Sequence, residues 1–220
     1  MNPATSEVYS PALGPVGVVF EDDDLWVAEK PAGLLSVPGR GPGKTDCVEA
    51  RLAAGTNWLR AVHRLDMDTS GLLVLARSPG AHRAMGRLFE KRQVHKTYLA
   101  RIWGTPDRDE GIVDAPLMAD WPNRPRQKTD PKHGKPARTR WRILSSAGPY
   151  TDVMLHPETG RSHQLRVHMA SMGHPVLGDP FYAHAPARQA APRLLLHASA
   201  LAFPHPITGS CVAIVSPAPF

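Results

Sequence analysis

The segment Leu72-Leu73-Val74-Leu75-Ala76 limits the possible folds more than any other part of the chain. Five apolar residues in a row show neither the alternation of a half-wetted strand nor the period of an amphipathic helix, and read as a strand buried on both faces. A sheet holding such a strand needs a covering layer on each side. Immediately before it stands a polar loop, His63-Arg64-Leu65-Asp66-Met67-Asp68-Thr69-Ser70-Gly71. A buried strand holds such a loop rigidly at the edge of the core, where side chains are free to act on a partner. A carboxylate near an arginine is also an ordinary structural ion pair, so the loop alone leaves both readings open.

The flanking patterns define an α+β domain. Val16 to Phe20 and Leu25 to Glu29 read as strands joined through the acidic turn Glu21-Asp22-Asp23-Asp24, and Thr45 or Asp46 is placed to cap a short helix ending at Leu52. Ser78-Pro79 is an N-cap followed by a proline at the first helical position, and Ala81, Met85, Leu88 and Phe89 then recur at helical spacing. Lys96 to Trp103 alternates as a strand, with Tyr98, Ala100 and Ile102 on one face and Leu99, Arg101 and Trp103 on the other. Thr151 to Leu155 reads as a strand, and Ser162 to Met172 as a helix stopped by Gly173, with Leu165, Met169 and Met172 buried. Leu194 to Phe203 and Cys211 to Val215 are two further strands around the turn Pro204 to Gly209. Strands outnumber helices and several are joined only by turns, so the expected fold is a mainly antiparallel mixed sheet flanked by helices and loops. Residues 1–15, rich in Pro, Ser and Ala, read as a flexible lead-in, and 16–220 as a single domain.

Cys47 and Cys211 are far apart and form no CxxC pair, which argues against a disulfide framework or a thiolate zinc site and suits a reducing cytoplasm. No basic leader occupies residues 1–20, and no apolar run approaches the roughly 20 residues of a membrane-spanning helix. The formal charge of +6 suits a polyanionic partner. Most of it is local: from Pro122 to Arg142 eight basic residues, Arg124, Arg126, Lys128, Lys132, Lys135, Arg138, Arg140 and Arg142, face one acid, Asp130. Arg138, Arg140 and Arg142 share one face of an alternating strand, which suits a phosphate backbone or simply a solvated face.

The chain has no G-x-G-x-x-G after a strand and no Walker loop, so nothing in it supports a nucleotide cofactor. His156, His163, His168 and His174 cluster in sequence, but His163 and His168 are five apart and do not share a helix face, so no metal is expected. Neither Ser70 nor Ser162 lies in a nucleophile elbow. A stronger constellation spans three segments: Asp66 in the loop, Tyr98 in Lys96-Thr97-Tyr98, and Arg166 in Gly160-Arg161-Ser162-His163-Gln164-Leu165-Arg166-Val167-His168. An ionised carboxylate near a packed aromatic group needs a cation to offset desolvation, and Arg166 can supply it. Tyr98 reads as a core residue, a stacking partner for a base or an acid/base group, and patterning alone favours the core.

Those segments, with Gly173-His174-Pro175-Val176-x-Gly178-Asp179 and Leu195-Leu196-His197-Ala198, resemble the RluA family of pseudouridine synthases over roughly residues 16–216. The stretches Gly33 to Arg40, Asp120 to Pro125 and Ala191 to Ala198 are similar to the short, dual-specificity members, which lack the S4-like RNA-binding domain of larger relatives; with Asp66 so near the start, none is expected here.

The resemblance implies isomerisation of uridine to pseudouridine in RNA with no cofactor or metal. The N1 to C1′ bond breaks, the uracil turns, and C5 is joined to C1′. Asp66 is then the essential carboxylate, either nucleophile at C1′ or base at C2′. Tyr98 would stack on the uracil and assist loss of the C5 proton, and Arg166 would pair with Asp66. The target must be flipped out of the RNA, and Arg64, beside His63, is suited to fill the vacated space. Leu195 and Leu196 would wall the uracil pocket, and Arg124, Arg138 and Arg140 would meet RNA. The implied partners are a tRNA anticodon stem-loop, at the first nucleotide of its loop, and a 23S rRNA stem-loop, met by a monomer with no membrane attachment. The competing readings are an RNA-binding module or chaperone without catalysis, a metal-dependent nuclease, and a family member acting on another tRNA or rRNA site.

Overall fold

The structure is a computed structural model that describes residues 9–220. The apolar run lies in a strand, Ser70–Ala76, whose seven residues are all buried. Its alternate side chains enter two separate cores: Leu73 and Leu75 pack with Leu165, Tyr98 and Met169, while Leu72, Val74 and Ala76 pack with Ala81, Met85 and Phe203. Both faces of the strand are thus covered, which is why its sequence shows no polar alternation.

In chain order the strands are β1 (Gly17–Glu21), β2 (Leu25–Lys30), β3 (Arg60–Ala61), β4 (Ser70–Ala76), β5 (His95–Trp103), β6 (Glu110–Asp114), β7 (Leu117–Ala119), β8 (Gln127–Thr129), β9 (Arg138–Ala147), β10 (Tyr150–Pro157), β11 (Leu196–Pro204) and β12 (Cys211–Val215). The helices are α1 (Val48–Ala53), α2 (Pro79–Glu90), α3 (Gln164–Ser171) and α4 (Ala185–Gln189). One ten-stranded sheet runs β1-β2-β4-β11-β5-β10-β9-β6, with β12 paired to β11 and β3 to β4; β7 and β8 form a separate hairpin. Among the strands of the described residues only β4 and β11 pair in parallel, so the sheet is mixed and mainly antiparallel, as expected.

Helix α2 covers one face through Ala81 and Met85, and α1 and α3 cover the other through Val48, Leu165 and Met169. Gly71, at φ +110° and in register with Ala198 of β11, lets the two parallel strands close; a Cβ there would collide with the Ala198 backbone.

Four expectations change. Helix α1 is capped by Cys47, whose Sγ accepts the Ala50 N–H at 3.3 Å, because Asp46 is engaged with Arg51. Helix α3 begins at Gln164, since His163 adopts a left-handed conformation with φ 55°. Of the flexible lead-in, residues 1–8 lie outside the described residues, but Tyr9 to Gly14 are fastened to the body. The Tyr9 hydroxyl donates to Asp46 O at 2.9 Å and Arg51 donates to the carbonyls of Ala12 and Gly14. Finally, β6, β7, β8 and α4 carry too few patterned residues to stand out in the sequence.

Candidate active site

The loop before β4 is clamped on both sides of Asp66. Ser36 Oγ accepts the Leu65 N–H at 3.0 Å and donates to Leu65 O at 2.9 Å. Beyond Asp66, the fully buried Lys30 Nζ donates to the carbonyls of Met67 (2.7 Å), Leu34 (2.6 Å) and Pro31 (2.8 Å). Burial pushes the Lys30 pKa down to about 7, with Asp68 and Asp66 opposing it. Three carbonyl acceptors use all three N–H groups of an ammonium, so the geometry favours the charged form. His63 closes the other end: its Nε2 accepts the Val74 N–H at 3.0 Å and its ring packs against Phe89. Burial, and then the Lys96 charge, push its pKa down to about 3, so it is neutral and holds the loop onto β4.

Arg166 reaches this loop from α3. Its guanidinium donates to Asp66 Oδ2 at 3.2 Å and makes a two-pronged contact with Asp179, at 2.8 and 2.7 Å. Arg166 and Asp179 are both buried, and Asp179 Oδ1 also accepts the N–H groups of Phe181 and Tyr182. Burial alone would lower the Arg166 pKa, but Asp179 and then Asp66 raise it above the usual arginine value, so the charge is permanent. Asp179 therefore sets the guanidinium, and Arg166 presents its free edge to Asp66. His163 Nε2 lies 4.0 Å from the same Asp66 oxygen, and His163 Nδ1 is 2.7 Å from the Tyr182 hydroxyl. Asp66 Oδ1 accepts no hydrogen bond among the described residues, and the side chain is a quarter exposed (26%).

Asp66 stands on the wall of a cleft of about 620 Å³ that also involves Arg64, Lys96, Tyr98, Arg161, His163 and Leu196. That size suits one nucleoside. Tyr98 is buried to 9% exposure; burial first, and the Asp66 charge second, raise its pKa well above the ordinary phenol value, so the hydroxyl stays protonated. Arg64 is exposed and has no carboxylate partner among the described residues. Asp68, the neighbouring acid, has its pKa raised by burial against the pull of Arg166 and Lys30.

The structure separates some residues that the sequence put together. Leu196 lines the cleft, but Leu195 points to the opposite side and packs with Leu177 and Ala187. Consecutive residues of an extended chain face opposite ways, so both cannot wall one pocket. His197 is a core tie, joined to Ser70 at 2.9 Å and Ser216 at 3.0 Å. Arg138, Arg140 and Arg142 do share a face of β9, but the ribbon is partly neutralised. Glu158 takes Arg138 at 3.5 Å and Arg140 at 2.5 Å, and Asp114 lies 3.8 Å from Arg138. Those acids come from β6 and the turn after β10, outside the window in which the basic run was counted. Arg124 lies away from the cleft wall, with its guanidinium 3.2 Å from the Trp121 ring centre.

A profile of the RNA pseudouridylate synthase family matches residues 24–171, which include Asp66, Tyr98 and Arg166. The chain belongs to that family. It is 48% identical over 216 residues to the dual-specificity RNA pseudouridine synthase RluA of Escherichia coli (strain K12), covering 97% of this chain and 99% of the relative. The Yersinia pestis protein of the same name is 50% identical over 194 residues, covering 88% and 94%. Among solved structures, human RNA pseudouridylate synthase domain containing 1 superposes with a TM-score of 0.76 at 29% identity, over 100% of this chain and 87% of the human one. Domain containing 4 gives 0.73 at 26% identity, over 92% and 88%.

Around this cleft, the sequence gives no role to Lys30, Ser36, His163 or Asp179, although the last three stand within the quoted motifs. Lys30 follows a strand and precedes Pro31, where a lysine looks like any solvated turn residue. Asp179 carried a faint signal: an acid after Val176-x-Gly178, where Gly178 at φ +70° sits against the Arg193 backbone, marks a tightly built turn.

Proposed function

We propose that this synthase isomerises uridine to pseudouridine in RNA stem-loops, with Asp66 as the acting carboxylate. The supporting observation is the half-engaged state of Asp66: one oxygen is held by Arg166, the other accepts no hydrogen bond among the described residues, and the residue lines a nucleoside-sized cleft. A carboxylate serving only to bind Arg166 would use both oxygens, as Asp179 does. In the reaction the N1 to C1′ bond breaks and C5 bonds to C1′; the C5 proton leaves and N1 ends protonated. Asp66 works on the ribose of a flipped-out nucleotide while Arg166 keeps it ionised. Tyr98 lies flat against the uracil, its protonated hydroxyl within the site where C5 loses its proton. Arg64, exposed and without an acidic partner among the described residues, takes the place of the flipped base. Leu196 supplies the apolar wall.

The name of the relatives, dual-specificity RNA pseudouridine synthase, supports two kinds of RNA target for this chain; from the motif resemblance we propose the first nucleotide of a tRNA anticodon loop and a loop uridine of 23S rRNA. Both are stem-loops in which a splayed base can reach the cleft. The ten-stranded sheet, which takes in strands from β1 to β12 apart from the β7-β8 hairpin, supports reading 16–220 as one catalytic domain. The free thiols of Cys47 and Cys211 support a cytoplasmic setting.

Tritium release from stem-loop RNA labelled at uridine C5 tests the assignment. Asp66→Asn and Asp66→Ala are expected to release none while binding RNA within about threefold of wild type. Release that persists in Asp66→Ala would overturn it. Mapping pseudouridine chemically in cells lacking the gene tests the targets, since both predicted positions should revert to uridine.

A further inference from the structure

The hairpin β7-β8 lies outside the cleft and carries the most exposed tryptophan among the described large apolar residues, Trp121 at 64%. A lone exposed tryptophan is unremarkable by itself. Here, however, the Arg124 guanidinium covers one ring face at 3.2 Å from its centre, so the exposure belongs to the other face and the edges. The tip is rigid: Asp120 N–H donates to Arg126 O (2.9 Å), Asn123 N–H to Asp120 O (2.9 Å) and Arg126 N–H to Asn123 O (3.0 Å). Among the described residues, the side-chain cations of Arg124, Arg126, Lys128, Lys132 and Lys135 have no carboxylate within 4.0 Å, unlike those of Arg138 and Arg140; Asp130 is engaged by the backbone N–H groups of Lys132 and His133. An indole held open on one side, backed by a cation and carried on a hairpin segment whose basic side chains are unpaired, fits a nucleobase and its phosphates better than a protein or lipid surface.

The hairpin is also tied to the catalytic groups. Leu117 at its base packs with Val167, the neighbour of Arg166 on α3. The Gln127 N–H donates to the Tyr182 hydroxyl at 2.8 Å, that hydroxyl meets His163 Nδ1 at 2.7 Å, and His163 Nε2 faces Asp66. The position of the tip is therefore fixed relative to the cleft.

We propose that Trp121, backed by Arg124, is a stacking platform for an unpaired base of the substrate RNA lying outside the catalytic cleft, so that the hairpin reads the loop while Asp66 acts on the flipped nucleotide. The inference rests on RNA being the substrate. A stacked base contributes enough that its loss weakens binding about 10-fold.

Steady-state tritium release and tryptophan fluorescence with a tRNA anticodon stem-loop test it. Trp121→Ala is expected to raise KM about 10-fold with kcat within twofold of wild type, and Trp121→Phe, which keeps a ring, to stay within threefold in KM. In an Asp66→Asn background, RNA binding should quench tryptophan emission, and Trp121→Phe should remove most of that quenching. A KM within twofold of wild type for Trp121→Ala, or quenching unchanged in Trp121→Phe, would overturn the platform. A wild-type enzyme that releases no tritium would refute the isomerase reading instead, and the quenching by RNA would still decide the platform.

Discussion

Asp179→Asn separates the positioning of Arg166 from the chemistry proposed for Asp66. The substitution preserves size and one acceptor oxygen but removes the charge from a side chain that is fully buried and meets the guanidinium at 2.7 and 2.8 Å. Unit charges about 4 Å apart in an environment of effective dielectric about 20 attract by about 4 kcal/mol. Breaking a buried pair from one side commonly costs about 3–5 kcal/mol, because the surviving charge stays buried. For a domain of this size each kcal/mol is worth about 2–4 °C, so the melting temperature should fall by roughly 6–20 °C. Part of the guanidinium charge would turn toward Asp66, its remaining carboxylate partner. If Asp66 is the carboxylate that acts, as proposed, a misplacement on the order of 1 Å there can cost about 100-fold in turnover. Circular-dichroism melts and tritium release at a temperature where both proteins are folded measure the two effects. A melting temperature within 2 °C of wild type, or an unchanged kcat, would refute the reading of Asp179 as the residue that sets Arg166.

The pH dependence of stability should carry a contribution from His63, whose pKa falls from 6.5 to about 3 on folding through burial and the Lys96 charge. As pH drops, the unfolded chain binds the proton first; the contribution is complete above about pH 6.5 and lost progressively toward pH 3. His63→Gln offers Val74 an acceptor that does not titrate, and between pH 7 and 4.5 it should lose about 2–3 kcal/mol less stability than wild type, read from urea midpoints. An identical loss in both proteins would sink that account. Gly71→Ala places a methyl against the Ala198 backbone at a positive φ, and should cost about 3 kcal/mol, lowering the urea midpoint by roughly 1 M. An unshifted midpoint would mean that β4 and β11 can separate without penalty.

Local pattern made much of this protein readable in one dimension. The Ser78-Pro79 start of α2, its apolar stripe, and the alternation that buries Tyr98, Ala100 and Ile102 against Leu99, Arg101 and Trp103 all appear where side-chain periodicity requires. The loop at Asp66 and its partners Tyr98 and Arg166 were legible through their motifs, and the fold does gather all three around one cleft. What periodicity cannot carry is contact between distant segments. The basic run looked unopposed because Asp114 and Glu158 reach it only through strand pairing. Leu195 and Leu196 looked equivalent until the sheet gave each a different side.

The sequence by itself determined a sheet built around a strand buried on both faces, since five consecutive apolar residues leave no side for water. It also named the carboxylate, the tyrosine and the arginine. Only the tertiary structure decided how those groups are held. Lys30 grips the carbonyl of Met67 across 37 positions, and Asp179 turns Arg166 so that its remaining N–H meets Asp66 a hundred residues away. Charges that strong act through distance in space, and the chain brings these residues within hydrogen-bond reach only when the layers close.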